Sequence, residues 1–104
     1  MKITKTKEVI TEEVEVNPGT YYFEDEDLIS YKMVVEEVDE EGFADYTLET
    51  ITNFGNITGI RIRKEWMDAD NIPYVFKQFI LGISGKKIEK EEYYKEREEV
   101  KQKL

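Results

Sequence analysis

The chain has no cysteine and no histidine. Without cysteine there are no disulfides, thiolate metal sites or thiol nucleophiles, a composition compatible with a reducing compartment. Without histidine the commonest general base, the commonest zinc ligand and the usual activator of a serine nucleophile are gone. Serine occurs only as Ser30 and Ser84, neither in a nucleophile-elbow pattern with flanking glycines. Long apolar runs are missing too. No window approaches the roughly 18 residues of a membrane span, and Met1 leads into Lys2, Ile3, Thr4 and Lys5 instead of a secretory leader. The expectation is a cytoplasmic protein with no membrane contact. Asn56-Ile57-Thr58 matches a glycosylation sequon but reads better as a turn. Gly82 to Lys87 lacks the spacing of a phosphate loop.

What the chain has in excess is negative charge. Over 104 residues the net charge is −9, and it is unevenly placed. Residues 1–49 carry 15 acids against 4 lysines, a net −11, whereas residues 50–104 carry 9 acids against 11 bases, a net +2. Between Glu8 and Glu49 the only base is Lys32. Such a field repels nucleic acid and attracts cationic partners, so direct nucleic-acid binding is not expected.

The carboxylates do not read as catalysts. Glu12-Glu13, Glu36-Glu37 and Glu40-Glu41 are adjacent pairs at solvated positions, whereas carboxylate catalysis needs two groups facing across a cleft with pKa values pushed apart. Neither Asp25-Glu26-Asp27 nor Asp68-Ala69-Asp70 continues as a calcium loop. The chain is therefore expected to be no enzyme and to hold no cofactor and no metal.

A single domain spanning 1–104 fits the length. Its densest apolar stretch is Ile72 to Ile83, where Ile72, Val75, Phe76, Phe79, Ile80 and Ile83 fall on one face at helical spacing. Asp70 or Asn71 would cap this helix, Asp68 adding negative charge at its start, with Pro73 in the first turn and a stop between Gly82 and Gly85. Branched and aromatic residues at Val75, Phe76, Phe79 and Ile80 leave a strand as the competing reading.

Lys2 to Val16 alternates as a strand, Ile10, Val14 and Val16 on one face, Val9, Thr11, Glu13 and Glu15 on the other. Asn17-Pro18-Gly19-Thr20 carries the type II turn signature, after which Tyr21 to Phe23 either pairs back with distortion or joins another sheet edge. Glu24-Asp25-Glu26-Asp27 should form a solvated connection. An Asp39 to Gly42 hairpin loop, Val38 facing Phe43, sets Met33 opposite Leu48, Val35 opposite Tyr46, Tyr31 opposite Thr50 and Lys32 opposite Glu49. A three-residue loop with Asn53 facing Ile57 then sets Leu48 against Ile62, Thr50 against Ile60, Glu49 against Arg61 and Thr47 against Arg63. The meander, about 29–38, 43–53 and 57–66, would put Met33, Leu48 and Ile62 toward the helix and Lys32, Glu49 and Arg61 toward solvent. From Lys86 onward a charged terminal helix follows, with Glu91 before Lys95 and Glu99 before Lys103. Tyr93, Val100 and Leu104 are sparse and interrupted by Arg97, so it is expected to pack lightly, to fray, or to complete itself on a partner.

The fold class expected is thus α+β: an antiparallel sheet of four to five strands with a central meander, packed on one apolar helix, plus a charged C-terminal helix. Of 13 aromatic residues, Tyr22, Trp66, Tyr93 and Tyr94 are the hardest to bury and are contact candidates. Two functional readings stay open. One is a non-catalytic acidic module that binds a basic protein surface through Glu12, Glu13, Glu15, Tyr22, Glu24, Asp25, Glu26, Asp27, Glu36, Glu37, Asp39, Glu40, Glu41 and Trp66. In size, acidity and lack of catalytic side chains the chain resembles small inhibitors made by phages and other mobile elements against restriction, CRISPR or repair nucleases. That resemblance implies mimicry of nucleic-acid charge in the groove of a nuclease. The other reading is an assembly subunit that forms a homo-oligomer through aromatic edges and the terminal helix.

Overall fold

The computed structural model of the chain describes residues 1–7 and 10–104. Nine elements follow in order: β1 (Lys2–Lys7), β2 (Ile10–Glu15), β3 (Gly19–Glu24), β4 (Ser30–Val35), β5 (Ala44–Phe54), β6 (Ile57–Met67), α1 (Tyr74–Ile80), β7 (Lys86–Lys87) and α2 (Lys90–Lys103). Strands β1 and β2 pair with each other, and the other five form an antiparallel sheet ordered β6-β5-β4-β3-β7. This is the α+β class the sequence indicates.

The β4–β5 register is the expected one, with Met33 opposite Leu48, Val35 opposite Tyr46, Tyr31 opposite Thr50 and Lys32 opposite Glu49. Period-2 alternation then decides the faces. Phe23, Tyr31, Met33, Val35, Tyr46 and Leu48 point to one side, where they form the larger core with Phe76 and Leu81. Tyr22, Ile51 and Ile60 point to the other, where they meet Ile88, Tyr93 and Val100. The sheet is covered twice: α1 and the β1–β2 hairpin lie on the first side and α2 on the second.

Several expectations are corrected. Lys2 to Val16 is two strands, with Lys2 opposite Glu15 and Ile3 opposite Val14. Ile3 and Val16 are buried in the α1-side core, while Val9 lies outside the described residues, as does the side chain of Ile10. Gly19 has φ +144°, beyond the roughly +80° of a type II turn, and β2 and β3 lie in different sheets, so the chain leaves one sheet edge for another. Val38 does not face Phe43. Regular pairing ends near Glu36, and the loop closes through the Asp39 amide on the Phe43 carbonyl at 2.8 Å.

The β5–β6 register is one residue away from the expected one. Phe54 faces Ile57 across a two-residue turn in which Gly55 has φ +48°, so Glu49 lies opposite Ile62, Thr50 opposite Arg61 and Leu48 opposite Arg63. A one-residue slip turns over every side chain of the strand. Arg61 and Arg63 therefore stand on the α1 side, and Ile60 and Ile62 on the α2 side.

Helix α1 is shorter than its apolar stripe. It begins after Pro73, which is its N-cap, and no side chain caps it; Asp68 instead bonds the Asp70 amide at 2.9 Å within a tight loop. The first turn carries no acidic residue, so Asp68, Asp70 and Asn71 serve the loop and not the helix. Phe76 is fully buried, Phe79 stacks on Phe23 at 4.5 Å, and Ile83, past the Gly82 stop, is exposed. At Gly85 an added Cβ would lie 2.8 Å from the Glu24 carbonyl oxygen, and φ is +87°. Only glycine lets the chain pass that close to β3 and set β7 beside it.

Candidate interaction surfaces

Helix α2 crosses one half of its sheet face. Tyr93 and Val100 are fully buried, so the helix does not pack lightly, and Tyr93 is not a contact residue. Arg97, one turn beyond Tyr93 on the same stripe, reaches Glu49, its Nε donating to Oε1 at 2.7 Å. The Tyr93 hydroxyl donates to the same Oε1 at 2.6 Å. Glu49 thus lies under a helix and not in solvent, and its cation is Arg97 in place of Arg61. Lys32 is on the same face, donating to the Tyr94 hydroxyl at 2.7 Å.

These contacts set the acidities. Burial pushes the Glu49 carboxyl up, but hydrogen bonds from Arg97 and Tyr93 and the charges of Arg97 and Lys32 overcome it and hold it below the usual carboxylate value. Burial, then the bond to Glu49, raises the Tyr93 phenol. The bond from Lys32 lowers Tyr94, while burial and the bond with Tyr94 push Tyr22 up to about 12. Every polar group of this cluster serves to dock the helix. Tyr22 is wedged between Tyr93 and Tyr94, at ring separations of 5.3 and 6.1 Å.

The uncovered half of the same face is different in kind. Glu36, Asp45, Thr47, Lys64 and Trp66 line an open groove of about 570 Å³, with Trp66 54 % exposed, and Ile62, further along the same face of β6, is 56 % exposed. Phe43 supports the Trp66 ring edge-on at 5.1 Å. Glu37, Asp39, Glu40 and Glu41 continue from Glu36 around the β4–β5 loop, all exposed. Among the described residues, Glu36, Glu37, Glu40 and Glu41 form no ion pair. Asp39 differs, since its Oδ1 accepts from the Glu41 and Phe43 amides, each at 2.9 Å, and shapes the loop.

The other acids stand elsewhere. Asp25, Glu26 and Asp27 lie at the opposite end of the sheet, beyond a strand that spans about 17 Å, beside a second groove of about 450 Å³ with Tyr31, Tyr74 and Ile83. Glu24 is within β3 and pairs with Lys86 at 3.1 Å. Asp25 bonds the Asp27 and Ile29 amides at 2.9 and 3.0 Å and accepts from the Tyr31 hydroxyl at 2.7 Å. Glu13 and Glu15 on β2 face Lys2 and the N-terminal ammonium, at 3.8 and 3.0 Å. Glu12 lies opposite Lys5. The structure thus brings Glu36 together with Trp66, with Glu37 to Glu41 in the loop that follows, and sets the other acids apart in two groups.

The docking network of Glu49, Tyr93 and Arg97 was not recognised in the sequence. Its signal is Arg97 in the apolar row of Tyr93 and Val100 at i, i+4 and i+7, where a charge requires a buried partner. Among the described residues, no cluster of acids is arranged to hold a metal ion, and no helix is long and apolar enough to cross a membrane. No family model, no curated protein and no solved structure matches the chain.

Proposed function

We propose that the chain is a non-catalytic acidic binding module, and that the end of the sheet built from the β4–β5 loop and the Trp66 groove engages a basic protein surface. One observation carries the reading: Glu36 shares a groove with the exposed Trp66 on a sheet face that α2 leaves bare, and Glu37, Glu40 and Glu41 follow it in the loop, all four exposed and without an ion pair among the described residues. The carboxylates supply long-range attraction, and the aromatic ring gives a contact that survives screening. The lining of a nucleic-acid groove has the charge this surface complements, so a nuclease or a related enzyme is the partner class.

The test is retention of a partner from cell lysate by the immobilised chain, beside a variant carrying Glu36→Lys, Glu37→Lys, Glu40→Lys and Glu41→Lys. The expected partner has a basic nucleic-acid groove, is displaced by duplex DNA, and is lost from the reversed variant. A partner held equally by both chains, or indifferent to DNA, overturns the proposal.

A further inference from the structure

The two edges of the five-stranded sheet are treated differently. At one edge β7 and the Ile88 amide, which donates to the Tyr22 carbonyl at 3.1 Å, close off part of β3. At the other, β6 runs for 11 residues and, among the described residues, has β5 on one side only, and residues 61–66 are all exposed. Its pairing with β5 runs from Ala44–Met67 to Phe54–Ile57 without a skipped residue, and it holds no proline. Bulges and prolines are the usual blocks to strand addition, and β6 has neither. Its charged residues are the remaining block, so their arrangement decides what can pair there.

The two-residue turn at Gly55-Asn56 makes Phe54 and Ile57 the closing hydrogen-bonded pair. Backbone groups of the odd-numbered residues of β6 therefore point to β5, and those of Thr58, Ile60, Ile62, Lys64 and Trp66 point outward. An antiparallel second β6, related by a two-fold axis, can meet this edge in a few registers. An axis at Ile62 sets Arg61 against Arg63 twice. An axis at Lys64 also sets Arg63 against Glu65 and Ile62 against Trp66, each twice, but it sets lysine on lysine, neither with an ion pair of its own among the described residues, and it runs Ile60 past the strand end onto Asp68. An axis at Arg63 sets Arg61 against Glu65 twice on the α1 side and Ile60 against Trp66 twice on the α2 side. It leaves a single like-charged pair, Arg63 on Arg63, each with its own Glu65 carboxylate at 3.6 Å.

We infer that the free edge of β6 binds a second copy of this chain, strand to strand and antiparallel, with Arg63 at the two-fold axis. Arg61 against Glu65 of the second copy makes the two charges complementary, and two features favour this register over the Lys64 one: each central Arg63 has its own Glu65 beside it, and Ile60 to Trp66 all stay within the ladder, which their outward amides supply. Pairing along one strand edge is a small interface, so association is expected to be weak and to depend on concentration. The inference does not rest on the acidic-surface reading: Trp66 and Lys64 belong to both surfaces, but the acidic β4–β5 loop takes no part in the ladder.

Sedimentation of the full chain from low to high concentration tests it, the mass rising from 12.4 kDa toward twice that. Arg61→Glu should weaken association at least tenfold, and the exchange Arg61→Glu with Glu65→Arg should restore it, with circular dichroism confirming that each variant is folded. The cysteine-free background allows a register test: under oxidation Arg63→Cys should give a covalent dimer and Lys64→Cys should not. A chain that stays monomeric at all concentrations, an exchange that fails to restore association, or cross-linking at Lys64→Cys in place of Arg63→Cys overturns the inference.

Discussion

Arg97 on α2 and Glu49 on β5, 48 residues apart in the chain, meet at 2.7 Å beneath the helix, with the Tyr93 hydroxyl on the same carboxylate oxygen. The Glu49 side chain is 10 % exposed and that of Arg97 25 %. Removing one partner of such a pair strands the other. Arg97→Met is expected to cost about 3 kcal/mol in denaturant unfolding, because it leaves a carboxylate under the helix with its main cation gone. Replacing the cluster as a whole, Glu49→Leu with Tyr93→Phe and Arg97→Met, should recover most of that loss, since apolar groups of similar volume often substitute for a buried pair at little cost. A triple variant less stable than Arg97→Met alone would show that the polar cluster itself stabilises the contact.

Ionisable groups on the two faces of the sheet make stability depend on pH from both sides. The folded-state acidity of Glu49 lies below its ordinary value of 4.5, so its stabilisation is complete above that value and is lost as the pH falls through the range beneath it. The stability gap between the native chain and Glu49→Gln should therefore close in acid. Tyr93 and Tyr31 are raised above the ordinary 10.0, chiefly by burial. Their stabilisation is complete below that value and is lost as the pH rises past it. In an absorbance titration both phenols should ionise only as the protein unfolds, and ionisation near 10 while the fold is intact would contradict their burial.

The core predicts an order of cost within α1. Phe76 is fully buried among Tyr21 and Phe23, at ring separations of 5.2 and 5.9 Å. Phe76→Ala should cost about 3 to 5 kcal/mol. Phe79 is half-buried and keeps its main contact in the stack on Phe23, so Phe79→Ala should cost about 2 kcal/mol. Chemical denaturation of the two variants checks the order, and the reverse order would place the centre of the core nearer the C-terminal end of the helix.

Much of this was legible in the sequence. The β4–β5 register followed from apolar residues meeting apolar ones along two alternating strands, since one wrong step would have put Met33 and Leu48 in water. The β5–β6 register carried less information. Arg61, Ile62 and Arg63 alternate charge and apolarity on a strand exposed from residue 61 to 66, so charge pairing of Arg61 with Glu49 suggested the wrong turn length. Nothing along β6 itself could reveal that Arg97 would occupy that carboxylate from 48 residues away. The short α1 reflects the same limit: Ile72 and Ile83 fit the helical period, but Pro73 and Gly82 fix the ends inside them. Of the candidate surface, the acids of the β4–β5 loop and Trp66 were visible by composition, and their adjacency was not, because it depends on which half of the sheet α2 covers.

Not all the acids of the first half are surface charges, and Asp25 separates from its neighbours. Its two carboxylate oxygens accept from the Asp27 and Ile29 amides and from the Tyr31 hydroxyl, and they hold the turn in which Leu28 adopts φ +61°. That conformation is costly for a leucine, so the turn depends on the bonds around it. Asp25→Ala removes the acceptor for all three donors and leaves the half-buried Ile29 amide and Tyr31 hydroxyl without it, which should cost about 2 kcal/mol. Glu26→Ala, one residue away and exposed, should change stability by less than about 0.5 kcal/mol. Thermal or denaturant unfolding of the two single variants decides the matter. Equal and small effects would mean that the turn holds without its carboxylate and that Asp25 is as free as Glu26 to serve a partner. The expected inequality means that charge reversal at this end must spare Asp25 and act on Glu26 and Asp27, or a loss of fold will be mistaken for a loss of binding.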